Sequence, residues 1–134
     1  MPRNADRTAL LFAPTRDDQQ NLSRALYDLH VPVEVADQDR ELTTAQWSAV
    51  SLILVDLDHD PGWRERLKWL LAQAPGARLL AYSRLSEEHL WLDALDAGAF
   101  DFVCKPFQER ELRWVLQSAL HACSARLGGV PARC

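Results

Sequence analysis

Short apolar runs alternate with amphipathic stretches along the chain. Thr8-Ala9-Leu10-Leu11-Phe12 is the first run, and after it Leu22, Ala25, Leu26 and Leu29 recur at i, i+3, i+4 and i+7, the stripe of a helix that buries one face. Asp17 and Asp18 precede that stripe. They read as helix-start acids, suited to capping and to the positive end of the dipole rather than to holding a metal. Val31 to Ala36 predicts a weaker strand, with Pro32 at its start, where a missing N–H does little harm. Between Asp39 and Ala49, Leu42, Ala45 and Ala49 make only a thin helical stripe, which Thr43-Thr44 weaken.

The same alternation continues. Ser51 to Val55 predicts a third strand, Pro61-Gly62 a turn, and Leu67, Leu70, Leu71 and Ala74 a helix stopped by Pro75-Gly76. Ala77 to Tyr82 is the fourth strand. Ser86 then caps a helix that starts with Glu87 and Glu88 and ends at Gly98. Phe100 to Cys104 is the fifth strand, and the last helix runs from about Gln108 to Ala122 with Leu112, Val115, Leu116 and Ala119 inward. Five strands in strict alternation with five helices predict an α/β fold, a doubly wound (βα)5 three-layer sandwich whose parallel sheet has the order 2-1-3-4-5. Residues 6–123 form the domain, and 124–134, with Gly128-Gly129 and Pro131, are expected to be a flexible tail.

Three strands run out at polar residues: Asp56 after the third, Ser83 after the fourth, and Lys105, followed by Pro106-Phe107, after the fifth. An acid, a hydroxyl and an ammonium at the carboxyl ends of parallel strands converge on one site, because open α/β sheets place their chemistry there. The first strand ends differently, in Ala13-Pro14, with no charge.

Composition narrows the classes of function. At 134 residues the chain buries a core without metals or disulfides. Its net charge of -4 and the lack of a Lys/Arg cluster argue against a nucleic-acid groove. Cys104, Cys123 and Cys134 have no metal-ligand spacing and read as reduced thiols, Cys104 as a small core residue. Apolar runs fall far short of the roughly 20 residues needed to span a bilayer, so a soluble cytoplasmic protein is expected. His30, His59, His89 and His121 read as surface residues, with only His59 near the strand-end site.

The segment Ala97-Gly98-Ala99-Phe100-Asp101-Phe102-Val103-Cys104-Lys105-Pro106-Phe107, with the Leu-Ile-Leu-Val-Asp-Leu run ending at Leu57, resembles the bacterial response-regulator receiver domain over residues 6–123. The resemblance implies that Asp56 is a phosphoacceptor, or its remnant, for a partner histidine kinase. It implies that Ser83 and Lys105 contact the phosphoryl group, that Phe102 is the switch aromatic, and that Mg²⁺ is held by an acidic pair after the first strand. Here Ala13 and Pro14 stand at the positions of that pair. Mg²⁺ is usually anchored by one or two carboxylates, so no metal or other cofactor is expected unless the site is relocated. Asp58 and Asp60 are the candidate replacement ligands. Arg84 is a second departure, a guanidinium at the pocket rim where the family has a small residue. It would either obstruct a kinase histidine or replace the lost cation.

The expectation is therefore a degenerate pseudo-receiver, not an enzyme, that works through protein contacts with a kinase, an effector or an output domain. Two alternatives stay open. One is an active phosphoacceptor with a relocated Mg²⁺ site at Asp56. The other is a haloacid-dehalogenase-like phosphatase using Asp56-Leu57-Asp58, disfavoured because that motif normally ends a first strand and no later acidic pair follows. A flavodoxin reading is weak because the loop from Ala13 to Asp18 has no Gly to cradle a phosphate. Trp63 and Trp91 join buried helix stripes, whereas Trp114 has polar helical neighbours and Leu90 points away from its core stripe. Leu90 and Trp114 are the expected interface of a homodimer through helix 4, strand 5 and helix 5.

Overall fold

The strands pair in parallel in the order β2-β1-β3-β4-β5, as the alternation of the sequence predicts. The computed structural model describes residues 8–36, 42–85 and 87–125. Its elements are β1 (Thr8–Phe12), α1 (Arg16–Asp28), β2 (Val33–Val35), α2 (Thr44–Ser48), β3 (Val50–Asp56), α3 (Trp63–Gln73), β4 (Arg78–Ser83), α4 (Glu88–Asp96), β5 (Asp101–Cys104) and α5 (Glu109–Ala125). Among the described residues no helix is long and apolar enough to cross a membrane. The segment from 126 onward, where a loose tail is expected, lies outside the described residues.

Successive strand residues point to opposite faces, and that parity sorts the core into two layers. Ala9, Leu11, Leu52, Leu54, Leu80, Tyr82 and Val103 pack with Leu22 and Leu26 of α1 and Leu112, Val115, Leu116 and Ala119 of α5. Leu10, Ile53, Val55, Leu79, Ala81 and Phe102 pack with Trp47 of α2, Trp63, Leu67 and Leu70 of α3, and Ala94 of α4. Phe102 is thus a buried core side chain of the second layer.

Local chemistry explains where the elements begin. Thr15, rather than an aspartate, is the N-cap of α1, its side chain accepting from the Asp18 N–H at 3.3 Å. The threonines that thin the α2 stripe turn out to start it. The Thr43 hydroxyl accepts from Gln46 N at 3.1 Å, while Thr43 N donates to Gln46 Oε1 at 2.8 Å, a reciprocal capping box. Ser86, expected to cap α4, lies outside the described residues, and the N-cap position is Glu87, whose side chain makes no cap bond. Asp60 does similar work ahead of α3, accepting from Gly62 N at 2.9 Å and from Arg66 Nε at 2.6 Å.

One expectation about the surface is corrected. Leu90 packs against the second core layer rather than facing solvent. It lies four residues before Ala94 and seven before Ala97, both buried, so helical geometry turns it inward. The exposed leucine of α4 is Leu92, at 51%, while Trp114 on α5 is exposed at 49% as expected. Trp63 is buried and Trp91 half-buried, both on the face the sequence assigns them.

Two helix ends use left-handed backbone. Gly98, with φ 113°, follows α4, and a Cβ there would meet Leu71 Cδ1 at 2.6 Å. His30, with φ 60°, follows α1, where His30 N and Val31 N donate to Tyr27 O and Leu26 O at 2.9 and 3.0 Å. A non-glycine residue in that region costs about 1–2 kcal/mol. Gly98→Ala should therefore lower unfolding stability by about 2 kcal/mol or more, because strain and overpacking add. His30→Gly should raise it by about 1 kcal/mol. Urea midpoints that move the other way would refute this account of the two ends.

Candidate functional site

Parity also builds the site. Asp56 continues the Leu52-Leu54 face of β3, so its side chain leaves the sheet edge on the α1/α5 side. Ser83 continues the Leu79-Ala81 face of β4 toward α3 and α4. Lys105 follows β5, anchored by its own N–H donating to Ser83 O at 2.8 Å, and the Lys105–Pro106 peptide is cis.

The three strand-end residues do come together, but not as a simple pair of Asp56 with Lys105. Lys105 Nζ donates to Asp18 Oδ2 at 2.8 Å and lies farther, 3.5 Å, from Asp56 Oδ2. The expectation that Asp18 only caps a helix is therefore wrong. It is 6% exposed and enters the site from the first turn of α1, while Asp17 stays in solvent. Asp56 is enclosed on its other side as well. Its Oδ1 accepts from Asp58 N at 2.6 Å and faces His59 Nδ1 at 3.2 Å, and its side chain is 1% exposed. His59, expected only near the pocket, touches its central acid.

Asp58 and Asp60 do not converge on Asp56. The Asp58 carboxylate turns to β4, accepting a hydrogen bond from the Ser83 hydroxyl and one from Arg84 N at 2.9 Å. The Arg84 guanidinium lies 3.9 Å from it at the rim and is largely exposed. Asp60 is held by Gly62 and Arg66, as described above. Among the described residues no group of three or more His, Cys, Asp or Glu side chains is arranged to hold a metal ion. At the end of β1, Ala13 is buried and its carbonyl accepts from Gln19 Nε2 at 2.7 Å, while Pro14 is exposed. An open cavity of about 460 Å³ lies here, lined by Phe12, Ala13, Pro14, Asp56, His59 and Arg66 among others.

The electrostatics follow from these contacts. Burial opposes the charge on Lys105, but its hydrogen bond to Asp18 and the charges of Asp56 and Asp18 outweigh it and raise its pKa. Burial likewise opposes the charge on Asp58. The Ser83 and Arg84 hydrogen bonds, with the Lys105 and Arg84 charges, prevail and hold its carboxyl below the ordinary value. Tyr82 packs beneath, its ring edge-on to Phe107 at 5.3 Å with Lys105 Nζ at 5.2 Å from its centroid. Burial and the carboxylates push the Tyr82 phenol far above its usual range, so it stays neutral.

Solved structures with the same fold are receiver domains and related proteins. A response regulator from Thermotoga maritima overlays with a TM-score of 0.72 at 17% identity, over 86% of this chain and 98% of that one. The beryllofluoride-activated NtrC4 receiver domain dimer overlays with 0.70 at 15% identity, over 88% and 98%. A protein from Burkholderia pseudomallei described as pilus assembly-related overlays with 0.75 at 20% identity, over 92% and 96%. No family model and no curated protein matches the sequence. The chain has the receiver fold.

Removing one partner of a buried ion pair costs about 3–5 kcal/mol, so Lys105→Met, which strands two acids at once, should destabilise by about 3 kcal/mol or more. Asp18→Asn should destabilise clearly more than Asp17→Asn, and equal denaturant midpoints would show that Asp18 is not part of the site. The pH dependence has two limbs. The contribution of Asp58 is present above its unfolded value near 3.8 and is lost as pH falls through its lower folded pKa. That of Lys105 is present below 10.5 and is lost as pH rises through its higher folded pKa. Carboxyl-carbon NMR that titrates Asp58 above 3.8 would overturn the acid limb.

Proposed function

We propose that this domain is a receiver-type signalling module that no longer relies on phosphoryl transfer and acts, in the cytoplasm, through standing contacts with protein partners. The observation that carries the reading is the enclosure of Asp56. Its carboxylate is satisfied by Asp58 N, His59 and Lys105 of its own chain. Lys105 in turn is held closer by Asp18 than by Asp56.

Metal chemistry is disfavoured by the donor set. Mg²⁺ demands near-octahedral oxygen ligation, usually from one or two carboxylates besides phosphate. Here Ala13 and Pro14 offer none, Asp18 is bonded to an ammonium, and Asp58 is bonded to Ser83 and Arg84. The Lys105 cation sits between two carboxylates, where it supplies the positive charge that a metal would otherwise bring. An active phosphoacceptor with a relocated metal would first have to release Asp58 and Asp60 from these partners. A phosphatase built on Asp56 and Asp58 would need both acids facing one substrate, and they face different ways.

Phosphorylation tests the reading. Acetyl phosphate, or a beryllofluoride mimic, with Mg²⁺ should leave Asp56 essentially unmodified. Stoichiometric, base-labile phosphorylation that disappears in Asp56→Asn would overturn it. Ala13→Asp with Pro14→Asp should raise Mg²⁺ affinity, and an unchanged titration would show that the end of β1 is not where the metal anchor was lost.

The partner surface is proposed on α4 and α5. Leu92 and Trp114 are large apolar side chains about half exposed there, and Leu85 in the loop before α4 is 54% exposed. A second copy of the chain is the proposed occupant, and the dimeric state of the NtrC4 receiver neighbour supports it. Tryptophan at an interface centre often accounts for about 2 kcal/mol or more of binding. Trp114→Glu should thus give a folded monomer in sedimentation. A wild-type monomer at micromolar concentration removes the homodimer, and a dimer that tolerates the change moves the interface elsewhere. A role related to pilus assembly, as described for the Burkholderia protein, is a second reading and would use the same kind of standing surface.

A further inference from the structure

Asp58 is unusual in where it points. It leaves the loop after β3, yet its carboxylate spends both oxygens at the end of β4, one on the Ser83 hydroxyl and one on the N–H of Arg84 just beyond the strand. The Ser83 oxygen in turn accepts from Leu85 N at 2.9 Å. The carboxylate is itself aimed by its own backbone, because Asp58 N donates to Asp56 Oδ1 at 2.6 Å. A hydroxyl, a main-chain N–H and a neighbouring guanidinium facing one point form a set of donors suited to an oxyanion. The side chain filling it is mostly buried, at 14% exposure.

We propose that Asp58 is a built-in ligand: its carboxylate permanently occupies an oxyanion cradle made by the Ser83 hydroxyl and the Arg84 N–H, and thereby fixes the segment from Ser83 to Leu85 between β4 and α4. The inference deepens the phosphorylation-independent reading above and rests on it for its meaning in signalling. A free phosphate-type anion would use the same donors, so the cradle is closed to outside ligands while Asp58 is in place. The lowered pKa keeps the occupant charged at neutral pH. The segment it fixes carries Leu85 and leads into α4, the region of the proposed partner surface. Asp56, which donors from its own chain surround, acts here by aiming Asp58.

Amide hydrogen exchange on the full chain tests this. In wild type the Arg84 amide should be protected although it sits in an exposed loop. Asp58→Ala should speed its exchange about tenfold to hundredfold, the range set by losing a hydrogen bond to a charged acceptor. Leu85 should follow it, while amides in the middle of β3 stay unchanged. Inorganic phosphate added to Asp58→Ala should restore protection at Arg84 and do nothing to wild type. Unaltered exchange at Arg84 in the variant would overturn the proposal, and so would failure of phosphate to restore it. Should Asp58→Ala fail to fold, Asp58→Asn is the second variant. It keeps a carbonyl oxygen for Arg84 N but loses the charge, and must show an intermediate increase, with wild-type exchange rates again refuting the idea. These readouts do not involve phosphorylation. Modification of Asp56 by acetyl phosphate would sink the functional reading alone, and a normal Arg84 exchange rate would sink the cradle alone.

Discussion

One ammonium group holds the carboxyl edge of this sheet together. Asp18 and Asp56 are both nearly inaccessible, and two like charges in such a place repel each other and resist desolvation. Lys105 Nζ lies within 4 Å of both. The lysine can be there only because its backbone N–H is pinned to Ser83 O, which sets where the chain leaves β5. The position of α1 follows from the same contact. Asp18 sits in its first turn, so the ion pair ties the start of that helix to the far side of the sheet, across a sequence distance that no local turn could bridge.

The cation also divides the acids. Asp56 has given Oδ2 to the lysine and Oδ1 to Asp58 N and His59, which leaves it well solvated by protein. Asp58 is pulled the other way by Ser83 and Arg84. Three carboxylates crowd one loop edge, yet each faces its own donors. Such a division gives each of these buried carboxylates donors from its own chain.

Much of this architecture was legible in residues. The alternation of Leu52-Ile53-Leu54-Val55 fixes two faces for β3, and the Leu22/Leu26 stripe fixes the inward side of α1, so sheet order and layering followed. The same stripe also contained the clue to Asp18, which lies four residues before Leu22 and eight before Leu26 and therefore on the buried face. Reading it as a helix-start acid gave weight to the dipole and overlooked the period. Leu90 was misplaced for a like reason, since Ala94 and Ala97 define the inward face of α4 as firmly as larger residues would. The direction of Asp58 is a different matter. It lies in a loop, where no period governs side chains, and only the positions of Ser83 at the end of β4 and Arg84 just beyond it decide it.

That difference separates the part of the site encoded locally from the part encoded by the fold. Strand parity delivers Asp56, Ser83 and Lys105 to one edge whatever occupies the end of β1. With Ala13 and Pro14 there, the acids must find compensation among groups already present, and the nearest are an ammonium, a hydroxyl and main-chain N–H groups. On the phosphorylation-independent function proposed above, these fixed donors stand where a divalent ion would, and switching by a transferred group is lost with it. The β4–α4 segment then has one arrangement to present under that proposal. Under the same proposal specificity lies in the side chains displayed around that segment, Leu85, Leu92 and Trp114 foremost, rather than in a change of state.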